Sequence, residues 1–355
     1  MAAPQKATKT TGAGPVILVI PTLNEAAHIQ RVVTGFLEDS AADQIWVLDG
    51  GSTDGTRDLV RALSQRHESV SLIHNTGRTQ AVALNLAAAR AHRQGARILI
   101  RADAHAHYPD GFVSGLVSCL LRTGADSVTV PLVTAPARSG AGWPGAAARL
   151  QHSLLGHGGA AHRQISPEGW VSHGHHAAFR LARFQALGGY DTDFCANEDA
   201  EFDLRLTRAG GRIWFAPDLA VTYVPRTGPR ATFLQMFRNG QGRARTAAKH
   251  QTPLALRQLI PVLALLCVVL LVEALLVMPR PLAHIAALPG LGYLGLLLGL
   301  SCVLARARPR LAGRIALLAF LSHMGFALGV MRHSLRLTLP RPRAAAPLRF
   351  GVKQG

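Results

Sequence analysis

Acidic side chains cluster at the start of one predicted helix, where they could act on a hydroxyl group. The segment is Asn197-Glu198-Asp199-Ala200-Glu201-Phe202-Asp203. Asn197 is placed to cap the helix, and acids in a first turn favour the helix dipole. Those roles account for one or two of the acids and do not require four. A helix start that points into a site could hold Asp199, with Glu198 beside it, as a general base against an acceptor hydroxyl.

Two carboxylates and three glycines follow the second predicted strand, in the segment Asp49-Gly50-Gly51-Ser52-Thr53-Asp54-Gly55-Thr56. Glycine lets the backbone approach a ligand closely. A strand-end carboxylate such as Asp49 can accept hydrogen bonds from a base N–H or a ribose hydroxyl. The segment fits a surface turn capped by Ser52 or Asp54 equally well. It matches neither G-x-G-x-x-G nor G-x-x-x-x-G-K-[ST], which disfavours dinucleotide and Walker-type phosphate sites here.

A strand-end aspartate also predicts a cation site. The segment Arg101-Ala102-Asp103-Ala104-His105 ends the fourth predicted strand. Asp103 could hold Mg²⁺ or Mn²⁺ on two phosphate oxygens, because such an ion takes only one or two protein carboxylates. His105 could be a second ligand or a phosphate partner. The alternative is an Asp–Arg surface pair with His105 as a polar loop residue.

Two other polar segments remain open to more than one interpretation. His173 and His175 could share an ion, but no further ligand has suitable spacing, which disfavours a structural zinc. In the segment 235–245, Arg238 and Arg245 lie near one predicted helical face with Gln235 close by. They could hold a pyrophosphate or an acceptor. A basic amphipathic helix lying on a membrane explains the same pattern.

The elements that must position these residues alternate between strand and helix. PVILVIPTLNE reads as a buried strand that enters a loop, and strand and helix patterns follow one another to about residue 124. This order predicts a mostly parallel α/β sheet with helices on both faces. Ligands of such sheets bind beyond the carboxyl ends of the strands. The loops PTLNE, DGGSTDGT and RADAHAHYP all lie at such ends. Residues 136–169 are predicted to be an irregular region on the acceptor side.

Composition divides the 355 residues into unlike parts. We predict a disordered N-terminus at 1–14, an α/β domain at 15–225, an amphipathic interface linker at 226–258, two or three membrane helices at 259–331 and a basic tail at 332–355. Apolar runs of about 20 residues are membrane-span candidates. The net charge of +18 does not indicate nucleic-acid binding, since no basic stripe is interleaved with aromatics. Basic residues flank the apolar runs instead, which favours contact with membrane lipids. None of the four cysteines forms a CxxC pair.

The order of the motifs resembles that of a family 2 glycosyltransferase with the GT-A (Rossmann-like) fold. The motifs are PTLNE, DGGSTDGT, a strand-end Asp, GGYD with NED, and QxFRNGxGR. The stretch from HGHHAAFR to EFDLRL is similar, more narrowly, to the ExoA type of succinoglycan biosynthesis. The resemblance covers roughly residues 16–250 and extends to the apolar C-terminus.

The resemblance implies a role for each matching position. The nucleotide-sugar site would comprise Pro21, Thr22, Asn24, Glu25, Asp49, Gly50, Ser52, Arg78 and Asp103. Asp103 matches the last Asp of the family's metal-binding D-x-D, and Asp199 matches the base of its ED motif. Gly174 would leave room for the acceptor sugar, while Gln235 and Arg238 match part of the Q/R-x-x-R-W motif. Arg101 replaces the first Asp of D-x-D, so the metal and ribose contacts are expected to differ from those of the family. The Trp of the last motif is absent, which favours addition of one sugar per encounter.

The resemblance also implies a reaction: inverting transfer of a hexose, from UDP-glucose or a similar donor, to a polyprenyl-diphosphate-linked saccharide during exopolysaccharide assembly. Two alternatives stay open. A nucleotidyltransferase would release pyrophosphate, and a membrane scaffold with a degenerate nucleotide fold would release neither product.

The expected location is the inner (cytoplasmic) membrane, with the α/β domain in the cytoplasm where nucleotide-sugars are. Two spans would return the chain to the cytoplasm at Arg306–Arg310, as positive charge prefers. A third full span would carry the basic tail outside, so the third apolar segment is either re-entrant or interfacial, or an exception to that preference.

Overall fold

A computed structural model describes residues 14–134, 142–157, 167–194, 196–223, 228–306 and 308–338. The strands are β1 Val16–Thr22, β2 Gln44–Asp49, β3 Val70–His74, β4 Ile98–Arg101, β5 Ala106–His107, β6 Ser127–Val130, β7 Leu132–Thr134, β8 Gly169–Val171, β9 His175–Arg180, β10 Ile213–Phe215 and β11 Val221–Tyr223. The helices are α1 Ile29–Asp39, α2 Thr56–Arg66, α3 Gln80–Arg93, α4 Phe112–Thr123, α5 Trp143–Gln151, α6 Leu154–His157, α7 Leu181–Ala186, α8 Glu198–Arg208, α9 Pro229–His250, α10 Leu256–Leu276, α11 Arg280–Leu304 and α12 Pro309–Thr338.

The central sheet has eight strands in the order β3-β2-β1-β4-β9-β6-β10-β8. Side chains alternate across it, as the two-residue period of a strand requires. Leu18 and Ile20 join one hydrophobic core with α1, α2 and α4. Ile17 and Val19 join the other core with α3, α7 and α8. Both faces are therefore covered by helices, which confirms the predicted α/β architecture.

Strand β9 runs antiparallel between β4 and β6. Its amino end, at His175, consequently reaches the edge of the sheet at which the parallel strands β1, β2 and β4 end. A separate three-stranded sheet, in the order β5-β11-β7, stands at the same region. The polar loops predicted to meet at one edge thus receive an additional segment, Gly174–His175, from the opposite chain direction.

The segment predicted to be irregular contains two helices, α5 and α6. That part of the prediction is wrong, because Ala146, Ala147 and Leu150 of α5 find an apolar partner surface on α12 that the local sequence does not reveal. Residues 135–141 and 158–166 of this segment lie outside the described residues, as do 1–13 of the predicted N-terminal region and 339–355 of the basic tail.

Three C-terminal helices are long and apolar enough to cross a membrane, judged by length and composition: α10, α11 and α12 up to Leu335. Helix α9 occupies most of the predicted linker and packs along α12. The packing is close, since a Cβ at Gly240 or Gly329 would lie less than 3.0 Å from a backbone oxygen of the other helix. Most of the predicted linker is therefore a helix that is packed against α12.

Candidate functional site

The loops after β1 and β2 are joined by hydrogen bonds. The Asn24 backbone N–H donates to Ser52 Oγ at 2.8 Å, and the Thr53 N–H donates to Asn24 Oδ1 at 2.9 Å. Asn24 adopts a left-handed conformation with φ of 57°, which asparagine tolerates better than most residues. The Glu25 N–H donates to Thr56 Oγ1 at 2.9 Å. The two predicted nucleotide loops consequently form one preorganised unit.

Asp49 is used by the loop itself. Its carboxylate is 1% exposed and accepts the Gly51 N–H at 2.9 Å and the Ser52 N–H at 3.1 Å. The Gly50 N–H donates to the backbone oxygen of Thr22, at 2.8 Å, so the end of β1 beside Pro21 is fixed as well. The turn interpretation of this segment is correct: Asp54 Oδ1 accepts the Thr56 N–H at 3.1 Å, as predicted, and Asp49 is a further capping residue. A nucleotide role for these residues remains a prediction.

Arg78 stands over the same loop. It has φ of 57°, and its guanidinium lies 3.7 Å from the position that a Cβ would take on Gly51. A side chain at Gly51 would also be strained by its φ of 95°. The arrangement places a cation beside the glycine turn that was predicted to approach a nucleotide.

The end of β4 places a buried arginine beside Asp103. Arg101 Nη2 is 3.3 Å from Asp103 Oδ1, and Asp103 Oδ2 is 3.7 Å from His175 Nε2. Burial opposes ionisation of Asp103, but the positive charge of Arg101, followed by the two nearby histidines, holds its pKa below the ordinary value. The predicted Asp–Arg pair exists, but it is largely buried and not a surface pair.

Helix α8 begins with two carboxylates in one pocket. Burial, followed by the charge of Asp199, raises the pKa of Glu198 to about 7. Gln80 Nε2 donates to Glu198 Oε1 at 3.2 Å. Glu198 is therefore only partly ionised near neutral pH.

Asn197 precedes α8 as predicted, but its capping mechanism differs. It has φ of 63° and makes no side-chain cap hydrogen bond. Its Nδ2 instead donates to the backbone oxygen of Asn239 in α9, at 3.1 Å. The residue ties the acidic helix start to α9.

Helix α9 presents a polar face of four residues to the site: Gln235, Arg238, Asn239 and Arg243. Gln235, Asn239 and Arg243 are spaced at i, i+4 and i+8, so they share one side of the helix. Arg245 faces elsewhere, because Nη2 pairs with Asp193 Oδ2 at 2.6 Å. The prediction that Arg245 joins Arg238 is wrong.

Two hydrogen bonds through His173 form a relay that links Arg243 to Asp203. Neither Arg243 nor Asp203 was predicted as a site residue. His173 Nδ1 lies 2.5 Å from Asp203 Oδ2, and Arg243 Nη2 lies 3.3 Å from His173 Nε2. Because Arg243 can only donate, His173 accepts at Nε2 and donates from Nδ1 to Asp203. The adjoining Gly174 has no space for a side chain, since a Cβ would lie 2.6 Å from Thr129. His173 is thus committed to this relay rather than to a zinc ion.

One cavity of about 470 Å³ brings six of the predicted site residues together. Its lining includes the predicted residues His105, Gly174, Glu198, Asp199, Gln235 and Arg238. Asp49, Arg78 and Asp103 are not among its lining residues. The nucleotide loops adjoin the cavity through His105, whose Nδ1 is 3.0 Å from Glu25 Oε1. The site accordingly has a nucleotide-loop side beyond His105 and an acidic-helix side that lines the cavity directly.

The donor set for a metal is small. No group of three or more His, Cys, Asp or Glu residues that could hold an ion occurs among the described residues. A cation bound to phosphates needs only one or two protein carboxylates. Asp103 fits that requirement, because Arg101 occupies Oδ1 while Oδ2 faces His175. The described residues fit a phosphate-bound ion, not a cation held by protein alone.

Comparison with known proteins identifies the family. The family model "Glycosyl transferase family 2" matches residues 17–188. The chain is 42% identical over 248 residues to succinoglycan biosynthesis protein ExoA of Rhizobium meliloti (strain 1021), covering 69% of this chain and 74% of the relative. It is 24% identical over 243 residues to a dolichyl-linked diacetamido-glucuronosyltransferase of Methanococcus voltae, covering 63% of this chain and 71% of that protein.

A solved structure extends the likeness to the fold. Mannosyltransferase PcManGT from Pyrobaculum calidifontis, in complex with GDP-Man and Mn²⁺, superposes with a TM-score of 0.55 at 21% identity, covering 94% of this chain and 90% of that one. The sequence matches, the GT-A-like sheet and the shared cavity agree: this chain is a glycosyltransferase and belongs to glycosyl transferase family 2.

Proposed function

We propose that the protein is an inverting hexosyltransferase, which transfers a sugar, with UDP-glucose the expected donor, to a lipid-linked saccharide in exopolysaccharide biosynthesis. The observation that carries the proposal is the shared cavity. Arg101 and His105, next to Asp103, line one side of it, and Glu198 and Asp199 line the other. A leaving diphosphate and an incoming hydroxyl can therefore meet there. The ExoA relative supports the biosynthetic assignment.

The mechanism is a single displacement with Asp199 as base. Asp199 is assigned as the base because it matches the base of the family's ED motif and lines the cavity beside Glu198. Asp199 accepts the proton of the acceptor hydroxyl while that oxygen bonds to the anomeric carbon. The bond from this carbon to the diphosphate oxygen breaks, and the nucleoside diphosphate leaves with that electron pair. General base catalysis contributes about 10²–10⁴ to such a rate.

Asp103, with His105 or His175, would hold Mg²⁺ or Mn²⁺ against the donor diphosphate. A bound cation supplies charge neutralisation for a phosphate leaving group. PcManGT was solved in complex with Mn²⁺ as well as GDP-Man, which supports the assignment of a divalent cation. Arg101 adds a permanent positive charge to the same end of the cavity.

A second, smaller cavity supports a lipid-linked acceptor. It measures about 220 Å³, lies between α5, α9, α10 and α12, and adjoins the first across Gln235, Asn239 and Arg243. Its walls combine apolar residues such as Met236 and Phe326 with the cations Arg243 and Arg257. A diphosphate suits such cations, and an isoprenoid chain suits the apolar walls. We place a polyprenyl diphosphate here.

The same cavity supports a position at the cytoplasmic membrane with the α/β domain on the cytoplasmic side. Arg257 and Ile260, at the start of the apolar helix α10, line it together with catalytic-side residues of α9. An acceptor held there would have its lipid in the bilayer and its sugar in the nucleotide compartment.

The test is a donor screen with detergent-solubilised full-length protein, Mg²⁺ or Mn²⁺, and a polyprenyl-diphosphate-linked saccharide. We expect metal-dependent, acceptor-dependent release of UDP from UDP-glucose, with an inverted anomeric linkage by NMR. Release of pyrophosphate would establish the nucleotidyltransferase alternative. Absence of product from every nucleotide-sugar tested would favour the scaffold alternative and contradict the proposal.

A further inference from the structure

The third apolar helix has different surroundings from the other two. In its most apolar window, 56% of the residues of α12 are buried by protein, against 17% for α10 and 22% for α11. Helices α10 and α11 instead expose large apolar side chains, such as Leu275 at 73%, Val277 at 80% and Ile285 at 70%. These two helices present their sides to lipid, whereas α12 is covered.

The cover on one side of α12 is α9. A Cβ on Gly325 would lie 2.6 Å from the backbone oxygen of Phe233, and Gly240 and Gly329 make equally close approaches. The aromatic ring of Phe237 also packs under the Arg332 guanidinium, at 5.6 Å. Small residues permit this backbone-to-backbone packing.

The cover on another side is α5. Ala146, Ala147 and Leu150 share a hydrophobic cluster with Ile315 and Leu318 of α12. The Arg314 guanidinium lies 5.6 Å from the Trp143 ring. The first half of α12 is therefore attached to a helix that lies in the chain between strands β6 and β8 of the central sheet.

Neither covering helix can enter the hydrocarbon core. The polar residues Gln235, Arg238 and Arg243 of α9 line the catalytic cavity, and Gly242 packs against the start of α8. Gln151 of α5 accepts the Tyr223 hydroxyl at 2.6 Å. Charged side chains at the bilayer centre are costly. A helix that packs along both α5 and α9 consequently has little of its length available to lie at hydrocarbon depth.

The hairpin of α10 and α11 has both open ends at the catalytic side. Arg257 near the start of α10 lines a cavity with Arg243. At the end of α11, Arg149 Nη1 donates to the backbone oxygen of Leu304 at 3.3 Å. The 21 and 25 residues of these helices give lengths of about 32 and 38 Å, enough for a hydrocarbon core of about 30 Å.

We propose that α12 does not cross the bilayer. It lies in the membrane interface as a platform between the catalytic domain and a two-span hairpin, and residues after Thr338 are on the same side as the catalytic domain. Its remaining exposed apolar residues, Leu317, Leu328, Met331 and Leu335, are the surface it offers to lipid. The partner is the headgroup region, where Arg306, Arg308 and Arg310 would meet anionic lipid.

The experiment compares three single-cysteine positions in the full-length chain, after replacement of the native residues Cys119, Cys195, Cys267 and Cys302. The variants are Glu68→Cys in the exposed catalytic domain, Val277→Cys at the hairpin tip, and Gly355→Cys. A membrane-impermeant maleimide is added to intact spheroplasts and, separately, to lysed membranes. We expect Val277→Cys to be labelled in intact spheroplasts, and Glu68→Cys and Gly355→Cys to lose labelling unless the cells are lysed.

The comparison with Glu68→Cys makes the result independent of which side the domain occupies. Labelling of Gly355→Cys and Glu68→Cys on opposite sides would overturn the proposal, because α12 would then cross the bilayer. Labelling of Val277→Cys on the same side as Glu68→Cys would overturn it too, since the hairpin would not span. No turnover is required, so a failure here is distinct from a failure of the proposed reaction.

Discussion

The nucleotide-loop side and the acidic-helix side of the site use their polar groups differently. On the nucleotide-loop side, the side chains of Asn24, Asp49 and Ser52 accept hydrogen bonds from backbone N–H groups of the two nucleotide loops. On the acidic-helix side, Glu198 is desolvated with a raised pKa, and Arg238 makes no ion pair within the described ranges. The nucleotide loops are therefore ordered by their own hydrogen bonds before a ligand binds. The acidic-helix side carries charged groups with which a bound ligand can pair.

This difference predicts two classes of variant. A change on the nucleotide-loop side alters stability and donor affinity together, because one side chain serves both. A change on the acidic-helix side alters turnover, acceptor affinity or the pH dependence of stability, while donor binding stays nearly constant. Substitutions on each side, paired with exposed control positions, test that separation.

Asp199→Asn should have the largest effect. Without the base, turnover falls by about 10²–10⁴, while donor affinity changes little. Turnover is measured by UDP release and donor affinity by calorimetry. Asp193→Asn, an exposed residue that pairs with Arg245, is the matched control and should keep near-normal turnover. Comparable turnover in both variants would remove Asp199 from the role of base.

Asp49→Ala should lower donor affinity and melting temperature together. The substitution leaves the Gly51 and Ser52 N–H groups without their acceptor, at about 1–3 kcal/mol for an unsatisfied buried group. Loss of a hydrogen bond from the Asp49 carboxylate to the donor, about 1.5–3 kcal/mol, corresponds to about 10- to 100-fold in donor affinity. The control is Asp58→Ala, on the neighbouring helix, whose carboxylate is exposed and pairs with Arg61. A weaker donor affinity with an unchanged melting temperature would contradict the dual role.

Arg238→Gln should weaken the acceptor alone. Arg238 lines the catalytic cavity, so loss of one charge-assisted hydrogen bond to the acceptor, about 1.5 kcal/mol, raises the acceptor KM about tenfold and leaves the donor KM unchanged. Arg245→Gln, on the same helix but turned toward Asp193, should leave both constants unchanged. An equal rise of the acceptor KM in both variants would show that the acceptor responds to the total positive charge of α9 and not to a contact with Arg238.

Glu198→Gln should have the smallest effect, seen as a pH dependence of stability. The folded pKa of about 7 lies above the usual 4.5, so the folded state binds more protons than the unfolded state between these values. Stability from this group is therefore present at low pH and lost as pH rises toward 7. A glutamine does not ionise, so the variant does not lose stability over this pH range. Its melting temperature should be a few degrees above that of the native protein at pH 8, but not at pH 5. Thermal melts in detergent at both pH values decide the point.

The sequence predicted the features that depend on local pattern. The alternation of strand and helix is visible because Ile17, Leu18, Val19 and Ile20 are buried on alternate faces. The meeting of three loops at one edge followed from parallel strand ends. Asp103 and Asp199 were singled out because carboxylates at element ends are few.

Non-local contacts account for what the sequence left out. The antiparallel direction of β9 depends on its neighbours β4 and β6. Asp203 reads as an ordinary helical residue until His173 is placed beside it. Arg243 had a usable signal, since it follows Gln235 and Asn239 at four-residue intervals, but Arg245 shares a face with Arg238 equally well by spacing.

The glycine contacts between α9 and α12 set the limits of the smallest working enzyme. Gly240, Gly325 and Gly329 seat the two helices backbone to backbone, so α12 holds the register and tilt of the helix that carries Gln235 and Arg238. A fragment cut at the end of the α/β domain would lose both helices and, with α9, the four residues that this helix contributes to the cavity. In this glycosyltransferase, the packing of α12 therefore helps to position residues of the catalytic cavity.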